Sequence, residues 1–187
     1  MKFRGLIIAV LVLLALGGVL YWSNHHKPSE KSAPLSSTTS PSILKLDQAS
    51  ITQLTVTDKG SAPVSLVKQN DGRWQITKPE ELRAEQDEVA GMLSSLSSLN
   101  ADHVIEEKAA GLAQYGLDDP SVTVDIATSD RKQRKLLLGD STPAGGDVYA
   151  ILAGDPRVFA IAGYSKTSID KGLNDLRNKR LLTIDPD

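Results

Sequence analysis

Two adjacent carboxylates, Asp118 and Asp119, lie in the stretch LAQYGLDDPSVTVDI and are the first candidates for chemistry in this sequence. A pair of carboxylates can act as general acid and general base when both side chains reach the same reacting group. Pro120 favours an extended backbone at Asp119, and adjacent residues of an extended segment point to opposite sides. We therefore interpret this pair as part of a structural motif rather than as a catalytic one.

Two short motifs contain a serine whose neighbouring residues resemble those of a nucleophilic serine in an enzyme. Gly139-Asp140-Ser141 resembles the nucleophile block of some small-serine esterases, but no histidine follows His103 to serve as the downstream base. Ser168 and Lys171 have the Ser-x-x-Lys spacing of acylating enzymes, but the accompanying Ser-Asp-Asn and Lys-Thr-Gly motifs are absent from the sequence. We therefore expect no enzyme activity and no catalytic residue.

Metal and phosphate sites have equally little support. His25 and His26 are adjacent in a Ser/Thr/Pro-rich segment that provides no further ligand. The Gly-rich stretch at residues 139–146 contains no lysine, so it lacks the Gly-Lys-Ser/Thr ending of a phosphate-binding loop. Cysteine is absent, which excludes disulfides and thiolate ligands. We expect neither a metal nor a cofactor.

The opening stretch has the pattern of a helix end followed by a strand. Residues 107–115 predict a short helix, and Gly116 stands where the helix cap requires a left-handed residue. Leu117 is then placed to contact Leu112, and Pro120 releases the chain into a strand at residues 121–128. The motif is therefore predicted to end a helix and begin a strand.

Residues 43–187 predict an α+β domain in which two antiparallel β-meanders are each followed by a helix. Alternating apolar residues predict strands at residues 51–57, 64–66, 74–76, 121–128, 135–138, 148–152 and 157–161. A turn at Asn70-Asp71-Gly72 joins the second and third strands. Helical spacing predicts a helix near residues 85–99 and a closing helix through Ile169, Leu173 and Leu176 with Thr167 as its N-cap.

The beginning of the chain has the pattern of a membrane anchor. Residues 1–4 are basic, and residues 5–22 carry no charge and reach about 27 Å as a helix, close to the thickness of the hydrocarbon core. The runner-up interpretation is a cleaved signal peptide, which we disfavour because apolar residues continue past the small residues of this segment. Residues 23–42 are rich in Ser, Thr and Pro and predict a flexible linker.

The charge pattern disfavours nucleic acid as a partner. The formal net charge is -2 at pH 7, and no broad basic surface is predicted. Two basic groups remain, at residues 131–135 in a predicted hairpin turn and at residues 177–180 after the closing helix. For the first group, contact with anionic lipid or with an acidic partner is an alternative to simple solvation of the turn.

Five short motifs follow one another along the chain: Trp74-x-Ile76-x-x-Pro79, Tyr115-Gly116-Leu117-Asp118-x-Pro120, Gly139-Asp140, Gly146-x-Val148-Tyr149-Ala150 and Asp175-Leu176-Arg177. In these motifs the sequence resembles the bacterial DUF4340 family. The resemblance implies a cell-envelope protein with one amino-terminal span, sometimes associated with transporter-type or surface-motility machinery. It carries no established catalytic residues, so we assign its motif residues a structural role: Trp74, Pro79, Tyr115, Gly116, Leu117, Asp118, Pro120, Tyr149 and Arg177.

These observations favour a non-catalytic, single-pass protein of the cytoplasmic membrane with its amino terminus inside and residues 43–187 outside the cytoplasm. Its expected role is to bind a protein partner as an accessory subunit of an envelope or transporter-type complex. The alternative is a small ligand-binding or hydrolytic domain that uses the loop carboxylates Asp118, Asp140 and Asp147.

Overall fold

The computed structural model describes residues 40–180. The predicted anchor at residues 5–22 and most of the predicted linker at residues 23–42 lie outside this range. Within residues 40–180, none of the helices has the length and apolar character needed to cross a bilayer.

Nine strands and three helices make up the described part of the chain. The strands are β1 (Ile51–Asp58), β2 (Val64–Lys68), β3 (Trp74–Lys78), β4 (Leu82–Arg83), β5 (His103–Glu106), β6 (Val122–Thr128), β7 (Gln133–Ser141), β8 (Asp147–Leu152) and β9 (Val158–Ala162). The helices are α1 (Gln86–Ser97), α2 (Gly163–Ile169) and α3 (Leu173–Leu176), with single 3-10 turns at Gln48–Ser50 and Ala113–Tyr115.

All nine strands join one antiparallel sheet in the order β4-β3-β2-β1-β6-β7-β8-β9-β5. The two predicted meanders meet where β1 pairs with β6, with Leu54 opposite Ile126 and Val56 opposite Val124. The sequence-based expectation of antiparallel strands followed by helices is confirmed at this coarse level. The two halves share one sheet rather than forming two separate ones.

The helices cover one face of this sheet. Alternate strand residues such as Leu54, Leu66 and Phe159 are fully buried together with Met92 and Leu96 of α1. The helical spacing of these α1 residues is the reason for this packing, because residues three and four apart share one helix face. The core therefore lies between the sheet and its helices.

The chain crosses the sheet twice between β4 and β6, once on each face. Helix α1 connects β4 at one edge with β5 at the other edge and packs on the core face. Residues 107–121 then return from β5 to the central strand β6. Because the core face is already covered by helices, this return segment packs on the opposite face, where Tyr115 and Leu117 contact Ile151 and Val158.

The structure corrects three details of the sequence-based prediction. Residues 107–115 do not form a helix, since only Ala113–Tyr115 makes a 3-10 turn. The closing helix is interrupted between Ile169 and Leu173, and Thr167 lies inside α2, where its hydroxyl donates to the Gly163 carbonyl at 3.1 Å. The short strands β4 and β5 were not predicted from the sequence, because neither shows a period-two apolar pattern.

The tight turn before β3 agrees with the prediction. Gly72 has a φ of 84°, and the Asp71 carboxylate accepts a hydrogen bond of 2.9 Å from the Arg73 amide. The positive φ is the conformation that glycine adopts without a Cβ penalty.

Substituting a buried leucine at the junction of the two halves tests this core. Leu54 is fully buried on β1, so Leu54→Ala is expected to lower the free energy of unfolding by about 2–5 kcal/mol through lost apolar contact and an unfilled cavity. Gln53→Ala, at the neighbouring exposed position, should change it by less than about 0.5 kcal/mol. Urea denaturation measures both values, and equal losses would contradict the assignment of the two faces.

Candidate functional site

The motif residues of the second meander converge at one place on the sheet. Gly139 on β7 lies directly beneath the backbone of Tyr115, and a Cβ on Gly139 would collide with the Tyr115 carbonyl oxygen. The same Cβ would lie 3.1 Å from the side chain of Leu117. The return segment and β7 therefore approach each other as closely as their backbones allow, and only glycine fits at position 139.

Gly116 makes the second close contact of this cluster. Its φ is 66°, in the left-handed region, as the sequence predicted for a cap. The Gly116 amide donates to the Ala113 carbonyl, and the Leu117 amide donates to the Leu112 carbonyl, both at 3.1 Å. A Cβ at Gly116 would lie 2.5 Å from Cγ of Asp140, so the carboxyl group of Asp140 packs against this glycine.

Tyr115 fastens the return segment to two further strands. Its ring packs edge-on against the ring of Tyr149 on β8, with centroids 5.0 Å apart and an interplanar angle of 63°. Its hydroxyl donates a hydrogen bond of 2.7 Å to Oε2 of Glu106 on β5. This hydrogen bond raises the pKa of the Tyr115 phenol above its usual value.

We call the contacts of Tyr115, Gly116, Leu117, Gly139 and Tyr149 the motif clamp. The clamp holds the return segment on strands β7 to β9, and its apolar side chains are packed among one another. Tyr115, Gly116, Leu117 and Tyr149 are among the motif residues to which the sequence analysis assigned a structural role, which stays a prediction.

The adjacent carboxylates have different surroundings. Asp119 forms an ion pair of 2.7 Å with Lys59, and Asp118 is exposed. Asp140 packs against Gly116, and Asp147 begins β8 opposite Ala162. Within residues 40–180 no group of three histidine or carboxylate side chains is placed to hold a metal ion.

The first and last of the five family motifs, which contain Trp74 and Arg177, meet at the β4 edge of the sheet, away from the motif clamp. The Gln86 side-chain amide accepts from the Trp74 amide at 2.8 Å and donates to the Trp74 carbonyl at 2.9 Å. It also donates to the carbonyl of Ala84, which forms a β-bridge with Arg177. Trp74 and Arg177 are thus linked through Gln86, whereas Pro79 lines a cavity described below.

A polar cluster that the sequence analysis missed lies where β1 ends. Asp58 there faces Lys166 and Asp170, and Asp175 is close enough to add its charge. Asp58 and Asp175 also line a cavity of about 340 Å³ whose walls include Val56, Val64, Pro79 and Leu173. The sequence did contain a signal for it, because Asp58 continues the period-two series of Leu54 and Val56 and so places a carboxylate on the core face.

The electrostatics of this cluster set Asp58 apart from the other carboxylates. Burial, a hydrogen bond with Asp170 and the charge of Asp170, in that order of importance, raise the pKa of Asp58 from 3.8 to about 6. Lys166 acts in the opposite direction, and Asp175 adds a smaller upward contribution. A carboxyl group with a raised pKa beside a cavity is a candidate functional group.

Ser121 and Lys166 in the same cluster resemble a nucleophile and base only in distance. Lys166 Nζ donates to Ser121 Oγ at 3.2 Å, whereas a general base would accept the serine proton. The Ser121 hydroxyl itself donates to the carbonyls of Leu138 and Gly139, at 3.1 and 3.0 Å. The pair therefore ties α2 to β6 and β7 and is not arranged for nucleophilic attack.

The basic hairpin between β6 and β7 is partly neutralised. Lys132 pairs with Asp130 at 2.7 Å, and Lys135 pairs with Asp125 at 3.3 Å. Hydrogen bonds from Lys132 and Thr128 lower the pKa of Asp130 to about 2. This pairing weakens the case for a contact with anionic lipid through this hairpin, because two of its cations already have partners.

Comparison with known proteins identifies one family. The model of the family described as "Domain of unknown function (DUF4340)" matches residues 74–187. None of the curated proteins and none of the solved structures matches the chain.

Replacement of the clamp glycine tests its structural role. Gly116→Ala is expected to lower the free energy of unfolding by about 2–3 kcal/mol, because alanine is strained in the left-handed region and its methyl group meets Asp140. Gly111→Ala is the matched control, since nothing lies within 4 Å of its Cβ position. Urea denaturation compares the two variants, and equal stability would show that the clamp does not hold the return segment.

Proposed function

We propose that this chain, which belongs to the DUF4340 family, is a membrane-anchored extracytoplasmic domain that binds another protein of an envelope or transporter-type complex and catalyses no reaction. The anchor is the uncharged segment at residues 5–22, which follows two basic residues. The linker at residues 23–42 then holds the domain away from the lipid.

The surface that carries this proposal is the open face of the sheet. The return segment covers only β7 to β9 on its way to β6, so the same face of β3, β2, β1 and β6 has no covering element within residues 40–180. The side chains on this open face are mostly small and polar: Gln53, Thr55, Thr57, Ser65, Val67, Gln75, Thr77, Thr123, Asp125 and Ala127. Except for Ser65, which is buried, a partner can contact them without displacing any part of the domain.

The open face has a shallow depression over β1, β6 and the start of β7. It has a volume of about 230 Å³ and is lined by Gln53, Thr55, Asp125, Ala127 and Gln133 among others. Amide, hydroxyl and carboxylate groups therefore converge where a side chain of a partner can enter. Such groups provide orientation and specificity in binding sites.

The charge of the open face favours a polar protein surface as its occupant. Its carboxylate, Asp125, is paired with Lys135 at 3.3 Å, so the charges at this position cancel. Binding of nucleic acid or of an anionic membrane requires a local excess of cations. A near-neutral protein partner matches the open face better.

Both edges of the sheet are poorly suited to pairing with a strand of the partner, so we expect the partner to contact side chains of the open face instead. At the β4 edge, Glu85 donates to the Leu176 carbonyl at 2.7 Å and Asn178 donates to the Arg83 carbonyl at 2.8 Å, so the chain covers its own edge. At the other edge, β5 has an irregularity between Val104 and Glu106. Covered and bulged edges resist pairing with another chain.

One observation favours a second candidate, a small ligand-binding domain. The cavity of about 340 Å³ has apolar walls and two carboxylates, Asp58 and Asp175, as small-molecule sites often do. Isothermal titration calorimetry of the full chain against envelope glycans, polyamines and divalent cations tests this candidate. Binding lost in Asp58→Asn would support it, and the absence of heat with all three classes would remove it.

Charge placed on the open face tests the leading proposal. Gln53→Glu introduces an unpaired carboxylate at an exposed position of the open face. A mismatched charge in the interface is expected to weaken binding by about 1.4 kcal/mol or more, and so to reduce crosslinked recovery of the membrane partner at least about tenfold. Ser94→Glu on the exposed side of α1 is the matched control and should leave recovery unchanged. Mass spectrometry of crosslinked membranes measures both, with thermal unfolding to verify that the variants are folded.

Equal recovery of the partner with Gln53→Glu and with the unaltered chain would contradict binding through the open face. Equal losses in Gln53→Glu and Ser94→Glu would do so as well, because the effect would then not be specific to that face.

Protease treatment tests the membrane topology. In intact spheroplasts the added protease is expected to degrade residues 43–187 and to leave the anchor in the membrane, because the domain lies outside the cytoplasm. Immunoblotting against both ends of the chain measures this. Recovery of a soluble chain that has lost its first twenty or so residues would contradict the anchor.

A further inference from the structure

Ionisable groups from the two closing helices and from the chain next to β1 surround the end of β1. Helix α2 contributes Lys166, and Asp170 follows this helix directly. Asp175 comes from α3, and Lys59 follows Asp58 in the chain. Lys59 is engaged elsewhere, since its ammonium group pairs with Asp119 at 2.7 Å.

Lys166 places Asp170 beside the end of β1, because its ammonium group lies 3.9 Å from Asp170 and 3.2 Å from Oγ of Ser121, the residue before the Val122 that pairs with Asp58. Asp58 and Asp170 form a side-chain hydrogen bond there. Oδ1 of Asp58 is buried and has no hydrogen-bond donor within residues 40–180. Two ionised carboxylates can only accept hydrogen bonds, so their contact is favourable only when one of them carries a proton. A proton shared between the two carboxyls removes one of the two negative charges beside this buried oxygen.

We propose that Asp58 and Asp170 share a proton that fastens α2 and α3 to the end of β1, and that loss of this proton loosens the segment from Lys166 to Asn178. The proton passes to solvent, and no other covalent bond is made or broken. The device makes the domain sensitive to the acidity of its surroundings, and it does not depend on the identity of the partner.

The segment that is loosened reaches the β4 edge of the sheet. Lys171 forms an ion pair of 3.4 Å with Glu88 of α1, and Leu176 and Asn178 make the two backbone hydrogen bonds that cover β4. Repulsion between two ionised carboxylates at the start of this segment therefore acts on the contacts that close the edge. Lys166 offsets part of the repulsion, because its ammonium group lies 3.9 Å from Asp170.

The direction of the pH effect follows from the raised pKa of Asp58. Because burial and Asp170 raise this pKa from 3.8 to about 6, the folded chain binds the proton more tightly than the unfolded chain does. The stabilisation is fully present below about pH 3.8 and is lost as the pH rises through about 6. The domain should therefore gain stability from this pair in mildly acidic surroundings.

Thermal unfolding of the full chain in detergent micelles between pH 4 and pH 8 tests the proposal. We expect the Tm of the unaltered chain to fall by about 4 °C between pH 5 and pH 7.5 relative to Asp58→Asn, whose neutral amide can donate to Asp170 at every pH. Asp170→Asn is the second variant and should remove the same component. Lys166→Met should move the midpoint of the loss to higher pH, because Lys166 opposes the rise of the Asp58 pKa.

Amide hydrogen exchange locates the effect. Protection of the Glu85 and Asn178 amides is expected to fall about fivefold from pH 5 to pH 7.5 in the unaltered chain and to stay constant in Asp58→Asn. The Val124 amide, in the centre of the sheet, is the internal control and should keep its protection.

Three results would overturn the proposal. The first is the same pH dependence of Tm in Asp58→Asn, Asp170→Asn and the unaltered chain. The second is an unchanged midpoint in Lys166→Met. The third is an equal loss of protection at Val124, Glu85 and Asn178, which would indicate global unfolding rather than loosening of one segment.

Discussion

The close contact between the return segment and β7 is the constraint on which the rest of the structure depends. The chain reaches the far edge of the sheet at β5 and must come back to the centre to form β6, with the core face already covered by helices. The return segment fits on the opposite face because Gly139 lets the Tyr115 backbone approach and Gly116 adopts a left-handed conformation beside Asp140. Motif residues that are distant in the sequence are thus neighbours in one contact.

This constraint also explains the part of the sheet that remains open. The return segment ends its crossing at β6, so one face of β6, β1, β2 and β3 has no covering element in the described part of the chain. The open face carries hydroxyl and amide side chains, some of which bond to one another, as in the 3.0 Å contact between Thr55 and Ser65. Such a polar face is compatible with solvent when the domain is alone and with a polar partner when it is bound, which is the physical basis of the proposed function.

The sequence predicted the features that local periodicity controls. The strands around Leu54 and Val124, the helix around Met92 and the left-handed cap at Gly116 all follow from residue spacing and from the properties of glycine. Predictions from local patterns were wrong or incomplete where tertiary packing determines the conformation. Residues 107–115 contain a possible helix, but a helix this short is only marginally stable, and the contact of Tyr115 with β5 and β8 favours a different path. The alternation of β1 places Asp58 on the core face, but its contact with Asp170 joins residues far apart in the sequence and could not be predicted from a local pattern.

The central claim is that the motif clamp is structural and that the open face binds the partner. Site-specific photo-crosslinking in living cells tests it most directly, with a photoreactive amino acid placed singly at Gln53 on the open face, at Gln114 on the outer side of the clamp and at Ser94 on α1, three positions that are all exposed. We predict a discrete crosslinked product from position 53 and none from positions 114 and 94. A product from position 114 together with none from position 53 would contradict the account, because it would place the partner on the clamp itself.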